Sequence, residues 1–93
     1  MHPRDTEGFD WDEGNERELA AHRIKLWEAE EVFWSGPVWT KNKNEASGDW
    51  KMVGVTDSGR ALTLIVVVKQ NTSMLRVITG WDSTTGERTR YLS

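Results

Sequence analysis

The chain has 93 residues, enough for one small hydrophobic core but not for two, so a two-domain enzyme is excluded. It has no cysteine and only two histidines, which excludes disulfides and thiolate zinc sites, and we expect no metal or other cofactor. The formal charge of −3 argues, taken as a whole, against a surface coated with nucleic-acid-binding charge, and the six tryptophans are unusually many for this length.

No segment has the character of a membrane span or a secretion signal. The longest apolar run, residues 62–68, is far shorter than the roughly 18 residues of a transmembrane helix, and no apolar segment follows the first residues. We therefore expect a cytoplasmic protein without membrane attachment. Residues 1–8 are predicted to be a flexible N-terminus and residues 9–93 a single domain.

The charge divides the chain into two parts. Residues 1–31 contain ten acidic and four basic side chains, a net charge of −6, whereas residues 32–93 contain eight basic and five acidic ones, a net charge of +3. Two interpretations stay open: a solvated acidic helical face followed by ordinary sheet-surface lysines, or a basic surface that binds a polyanion.

Two helices are predicted in the acidic part. The first covers about residues 13–22 and is capped by Asp12. The second covers about residues 26–34 and ends at the Ser-Gly-Pro sequence of residues 35–37, because proline cannot continue the helix.

The second helix carries one apolar stripe. Ala29, Val32 and Phe33 have the i, i+3, i+4 spacing of a buried helix face. Trp27 and Trp34 are seven residues apart, hence on nearly the same side of the helix, and they are predicted to pack with this stripe.

From residue 38 the hydrophobic period changes to two, which predicts an antiparallel meander. The strands are expected at residues 38–41, 50–55, 60–69 and 74–79, with a polar loop over residues 42–49 and turns at residues 56–59 and 70–73. Residues 62–68 are apolar on both faces, which indicates a central strand covered by helices on one side and partly buried on the other.

A capping-box pattern at Thr84 and Glu87 predicts a last helix that runs through Tyr91. The predicted fold class is therefore α+β: N-terminal helices packed on a three- to four-stranded antiparallel sheet, in two layers, with a short C-terminal helix.

Four segments in one collinear register carry a family resemblance: FDWDEGNE at residues 9–16, EAEEVF at 28–33, VGVTDSGRAL at 53–62 and VITGWDSTTGERTRY at 77–91. Together they closely resemble the BrnT-type toxins. The resemblance implies a RelE-like fold and a metal-independent RNA endonuclease, the toxin of a type II toxin–antitoxin pair. It also implies neutralisation by a BrnA-like antitoxin, through which any contact with DNA would be indirect.

Cleavage of RNA without a metal needs a base for the ribose 2′-hydroxyl, an acid for the leaving oxygen and cations for the phosphate. The candidate catalytic residues are Arg60, Arg76, Glu87, Arg88 and Tyr91. The candidate RNA-binding residues are Lys51, Trp81 and Arg90, with Trp81 as the best stacking platform, and His22 is a further candidate acid or base.

Each acid–base candidate also has a structural interpretation. Glu87 is the third residue of a capping box, Tyr91 is placed to cover the sheet edge, and His22 is placed to close the first helix.

The sequence departs from the BrnT pattern at three positions. Val55 and Trp81 stand where the family has arginine, and Arg23 stands where the family has glycine. A catalytically silent interaction module therefore remains open beside the ribonuclease. In either case, a basic face over residues 38–91 would suit an acidic segment of the antitoxin, whereas salt-independent binding would point to the tryptophans.

Overall fold

The computed structural model describes residues 1–42, 50–69 and 71–93, and in these ranges a mixed sheet carries helices on both faces. In chain order the elements are β1 (Gly8–Phe9), α1 (Glu13–Ala21), α2 (Leu26–Trp34), β2 (Val38–Lys41), β3 (Trp50–Val55), β4 (Ala61–Lys69), β5 (Met74–Asp82) and α3 (Thr85–Tyr91). The strand order is β1-β5-β4-β3-β2, with β1 parallel to β5 and the other pairs antiparallel.

The α+β class predicted from the sequence is confirmed, and β4 is the central strand as expected. Two details differ: β1 adds a short parallel strand, and β5 continues beyond the predicted end at residue 79 to Asp82. Glycine and aspartate are poor strand formers, but pairing of Gly80 with Leu64 and of Asp82 with Leu62 overrides that preference. Most of the predicted loop over residues 42–49, and Gln70 of the last turn, lie outside the described residues.

A capping box joins α1 to the sheet. The Asp12 carboxylate accepts from the Asn15 backbone N–H at 2.9 Å, and the Asn15 side-chain oxygen accepts from the Asp12 N–H at 3.2 Å. The Asn15 amide nitrogen then donates to the buried Val77 carbonyl of β5 at 2.7 Å. The same side chain therefore caps the helix and fixes its position along β5.

The main core lies between the sheet and the two N-terminal helices. Leu62, Leu64 and Val66 point into it from β4, and a bulge between Ile65 and Val66 adjusts the register with β5. The buried residues of this core are Leu19, Ile24, Ala29, Val32, Phe33, Met52, Leu62, Leu64, Val66, Leu75 and Val77.

The two tryptophans of α2 do not belong to this core. Trp27 is 60% exposed and Trp34 is 75% exposed, so the prediction that they are packed against the stripe is wrong for Trp27, while Trp34 contacts Phe33 with one edge only. They share a side of the helix, as the seven-residue spacing requires, but this side points away from the sheet.

The opposite face of the sheet is also covered in part. Val53, Thr63 and Ile65 alternate with the core-facing residues of β3 and β4 and are buried as well. The short helix α3 lies over this face, where Glu87 accepts a hydrogen bond from Thr63. The arrangement therefore has a partial third layer rather than the two layers predicted.

The segment predicted to be a flexible N-terminus contains a 3₁₀ turn at Pro3–Asp5. Pro3 and Thr6 are buried, and the Glu7 N–H donates to the Ser73 carbonyl at 3.0 Å.

None of the helices in the described ranges is long and apolar enough to cross a bilayer.

Gly80 is a packing constraint that a stability measurement can test. A Cβ at this position would clash with Leu64 Cδ2 and lie 3.1 Å from the Thr63 carbonyl oxygen. We expect Gly80→Ala to lower the free energy of unfolding by about 1 to 3 kcal/mol in urea titration, because the core cannot make room without strain. Gly86→Ala on exposed α3, where a Cβ meets nothing closer than 3.9 Å, is the matched control and should not destabilise. Equal effects of the two substitutions would contradict this packing.

Candidate functional site

The residues predicted to act on RNA are separated into distinct places in the structure. Arg60 and Arg76 are each bound to two carboxylates, and His22 lies at the end of α1. The remaining candidates are on or beside α3, on the sheet face away from α1 and α2; they are Lys51, Trp81, Glu87, Arg88, Arg90 and Tyr91.

The guanidinium of Arg60 is fully engaged within the protein. It donates to both oxygens of Asp82 at 2.7 and 3.0 Å, to Glu28 Oε1 at 3.1 Å and to the Arg23 carbonyl at 2.8 Å. The hydrogen bonds to Asp82 and then to Glu28 raise the pKa of Arg60, although burial opposes them. These contacts join the β3–β4 turn, the start of α2 and the end of β5, which is a structural use of the side chain.

Arg76 is held in a similar way on β5. Its Nη2 donates to Asp12 at 2.7 Å and its Nη1 to Asp10 at 3.4 Å, and these bonds raise its pKa, the Asp12 bond most. Lys69 lies 3.0 Å from the same Asp10 oxygen. The acidic segment before α1 thus neutralises Arg76, a predicted catalytic residue, together with Lys69.

His22 does not join the other candidates. It is the C-cap residue of α1, and its Nε2 lies 3.3 Å from Glu18 one turn earlier. Because α1 packs on the core face of the sheet and α3 on the other face, the imidazole lies away from α3. The structural interpretation of His22 agrees with this position.

Glu87 is the centre of a hydrogen-bonded cluster on the α3 side. Its Oε1 accepts from the Thr84 backbone N–H at 2.8 Å, from the Trp81 indole at 3.0 Å and from the Thr63 hydroxyl at 3.1 Å. Its Oε2 faces the Lys51 ammonium at 3.9 Å. The capping box predicted from the sequence is present, and the cap residue also holds a strand lysine and an indole.

The environment of Glu87 fixes its protonation state. Burial alone would raise the pKa of this carboxyl, but the bonds from Thr84, Trp81 and Thr63, with the charge of Lys51, outweigh burial and lower it. Glu87 is therefore a carboxylate at neutral pH, a group that can accept a proton but has none to donate.

An open groove of about 630 Å³ lies between α3 and the β3–β4 hairpin, and Lys51, Trp81 and Glu87 are not part of its lining. Arg88 lines it, and no carboxylate of the described residues lies within 4.0 Å of this guanidinium. The rest of the lining is mostly small or apolar: Val55, Gly59, Ala61, Thr85, Thr89, Leu92 and Ser93.

The last turn of α3 adds two more candidates. The Arg90 guanidinium lies 5.5 Å from the centroid of the Tyr91 ring, and Arg90 is exposed. Tyr91 is partly exposed, one turn after Glu87, and its hydroxyl has no hydrogen-bond partner in the part of the chain that the structure describes.

Thr63 is a contributor that sequence reasoning missed. Its hydroxyl contacts both Ser83 at 2.9 Å and Glu87 at 3.1 Å. The available signal was a polar residue within the apolar run of residues 62–68, because a buried hydroxyl needs a partner.

Across residues 1–42, 50–69 and 71–93, no group of three histidine or acidic side chains is arranged to hold a metal ion.

Comparison with known proteins adds no family. No protein-family model matches the chain. A search of the curated proteins gives no match either. The resemblance to BrnT-type toxins therefore stays a prediction.

Replacement of Arg60 tests its structural role. Arg60→Ala leaves Glu28 and Asp82 without their donor, so we expect the free energy of unfolding to fall by about 1 to 3 kcal/mol in urea titration. Arg88→Ala, which removes an arginine without a carboxylate partner, is the control and should change it by less than about 0.5 kcal/mol. A stable Arg60→Ala protein would show that the network does not hold the layers together.

The cluster around Glu87 predicts a loss of stability in acid. The pKa of Glu87 is below its ordinary 4.5, so below that pH the unfolded chain binds more protons than the folded protein. The contribution of Glu87 is complete above pH 4.5 and is lost as the pH falls through the lowered pKa. We expect Glu87→Gln to be less stable at pH 7 and to show a shallower acid decline than wild type, measured by urea titration. Gly86→Ala on the same helix should keep the wild-type slope, and an unchanged slope in Glu87→Gln would contradict the prediction.

Proposed function

We propose that this protein is the toxin component of a type II toxin–antitoxin pair and acts on RNA in the groove beside α3. The observation that supports this proposal most directly is the position of Arg88, which lines the groove without a carboxylate partner among the described residues. Lys51 does not line the groove; its ammonium faces Glu87 at 3.9 Å, so Arg88 is the cation of the groove lining. Arginine is suited to phosphate because its planar fork donates two parallel hydrogen bonds while staying charged.

The groove also offers apolar surface for a base. Val55, which is 41% exposed, lies in it with Ala61 and Leu92. Trp81 is outside this lining, where it is half-buried and oriented by its bond to Glu87. Flat apolar and aromatic groups beside cations are the combination that binds single-stranded RNA without strict sequence preference.

The proposed reaction uses the substrate's own hydroxyl. The ribose 2′-oxygen bonds to phosphorus as its proton passes to Glu87 Oε2, the P–O5′ bond breaks, and the 5′-oxygen takes a proton from the Tyr91 hydroxyl. Arg88 stabilises the charge that develops on the phosphate. Support for these roles comes from the ionised state of Glu87 and from the placement of Tyr91 one turn along α3. Neither side chain lines the groove, so the proposed path of the RNA runs from Arg88 across α3 to these two residues.

A catalytically silent interaction module is the second candidate function. Two predicted phosphate-binding residues, Arg60 and Arg76, are engaged by the protein's own carboxylates. Glu87, with three donors on one oxygen and a lowered pKa, is a weak base. In both functions the chain is held by an antitoxin-like protein in the cytoplasm, and DNA is contacted only through that partner.

RNA cleavage by the purified chain separates the two functions. In EDTA, a fluorescein-labelled single-stranded RNA should be cut, whereas the same sequence with 2′-O-methyl riboses should stay intact because the nucleophile is blocked. We expect Arg88→Ala to slow cleavage by about 100-fold, the usual cost of losing one charge-stabilising donor. Arg17→Ala, which removes an exposed arginine of α1, should cleave at the wild-type rate.

The outcomes differ clearly on a denaturing gel and in a binding titration. RNA binding that Arg88→Ala weakens, without any cleavage, favours the silent module that keeps its RNA surface. If the purified chain neither binds nor cleaves the RNA, an RNA function for the groove is refuted.

A further inference from the structure

The outward side of α2 carries a row of two tryptophans and two carboxylates. Trp27, Glu30, Glu31 and Trp34 follow the i, i+3, i+4, i+7 spacing, so they share one face of the helix, which we call the α2 face. The rings are 60% and 75% exposed and lie about 10 Å apart along the helix. Exposed large aromatic side chains on a small protein typically mark an interaction surface.

Both carboxylates of the α2 face are fixed by other elements. The Trp11 indole donates to Glu30 Oε2 at 2.8 Å, and the Asp57 N–H donates to Glu31 Oε1 at 3.1 Å. The second oxygen of each carboxylate has no hydrogen-bond partner within the described ranges. The two acceptors are therefore held in place before any partner arrives, which lowers the entropic cost of binding.

The ring of Trp34 touches the core with one edge. It packs edge-on against Phe33, a core residue, with centroids 4.9 Å apart and an interplanar angle of 89°. At the other end, the Lys25 ammonium lies 6.0 Å from the Trp27 centroid, which shows that a cation can reach this ring.

The charge of the α2 face is not neutralised by the chain. No lysine or arginine of the described residues lies within 4.0 Å of Glu30 or Glu31, in contrast to Glu28 on the same helix, which Arg60 binds. Carboxylates between aromatic faces are the combination that binds ammonium and guanidinium groups, by ion pairing together with cation–π attraction.

We propose that the α2 face binds a basic amphipathic helix of a partner protein. Lysine or arginine side chains of that helix meet Glu30 and Glu31, and its apolar side chains cover the rings of Trp27 and Trp34. A second copy of this chain fits poorly, because a twofold contact would place glutamates against glutamates. The surface lies across the sheet from the groove beside α3, and the inference does not depend on what that groove binds.

The test uses the intact ¹⁵N-labelled chain and two synthetic helical peptides. One peptide presents lysine, arginine and leucine on one face, and the other has glutamate in place of every basic residue. We expect the basic peptide to shift the indole N–H signals of Trp27 and Trp34, and the acidic peptide to leave them in place. Raising the salt concentration should weaken binding, because exposed ion pairs are screened.

Variants locate the contact without breaking the fold. Glu30→Gln with Glu31→Gln removes both charges but keeps an acceptor oxygen for Trp11 and for Asp57, and adding Trp34→Ala removes an exposed ring. We expect the triple variant to bind about tenfold more weakly in calorimetry. Glu7→Gln with Glu13→Gln removes the same charge from other exposed positions and should bind like wild type.

Three results would overturn the proposal. The first is equal binding of the basic and acidic peptides, and the second is an equal loss of affinity in the Glu7 and Glu13 control. The third is a shift of the same two indole signals caused by single-stranded RNA or by self-association at high protein concentration, instead of by the basic peptide.

Discussion

Arg60 ties the helical layer to the sheet at a point where the β3–β4 turn, α2 and the end of β5 meet. Its guanidinium leaves the β3–β4 turn and binds Asp82 at the end of β5, Glu28 in α2 and the carbonyl of Arg23 between the helices. Arg23 has a φ of +60°, a left-handed conformation that costs a non-glycine residue about 1 to 2 kcal/mol. The junction therefore connects the start of α2 and the segment before it with the end of β5, shortly before α3 begins.

The acidic and basic parts of the sequence form ion pairs with each other in the folded chain, which leaves fewer charges for a ligand. Acidic residues of the first part bind bases of the second: Asp10 binds Lys69 and Arg76, and Glu28 binds Arg60. The basic face expected over residues 38–91 is therefore smaller than its net charge suggests. Among the described bases of this part, Lys41 of β2 and Arg88 and Arg90 of α3 have no carboxylate of the described ranges within 4.0 Å, so α3 carries most of what remains there for a polyanion or an acidic partner.

The local elements could be predicted because their signals are local. The bounds of α2, the Asp12 cap of α1 and the capping box of α3 are confirmed, since spacing and capping act within a few residues. The exposure of Trp27 also follows from a local signal: at about 100° per residue, Trp27 points some 160° away from Ala29, on the far side from the stripe. The meeting of Thr63, Trp81 and Glu87 was not predictable, because it depends on the register of β4 and β5 and on the continuation of β5 past Gly80.

The two proposed surfaces differ in sign and lie on opposite faces of the sheet. The groove beside α3 is lined by Arg88 and attracts negative charge, whereas the α2 face presents Glu30 and Glu31 between exposed rings and attracts positive charge. A ligand of one charge sign that suits one surface is repelled by the other, so each surface excludes the other's ligand. A single partner that occupied both would need segments of opposite charge joined around the edge of the sheet.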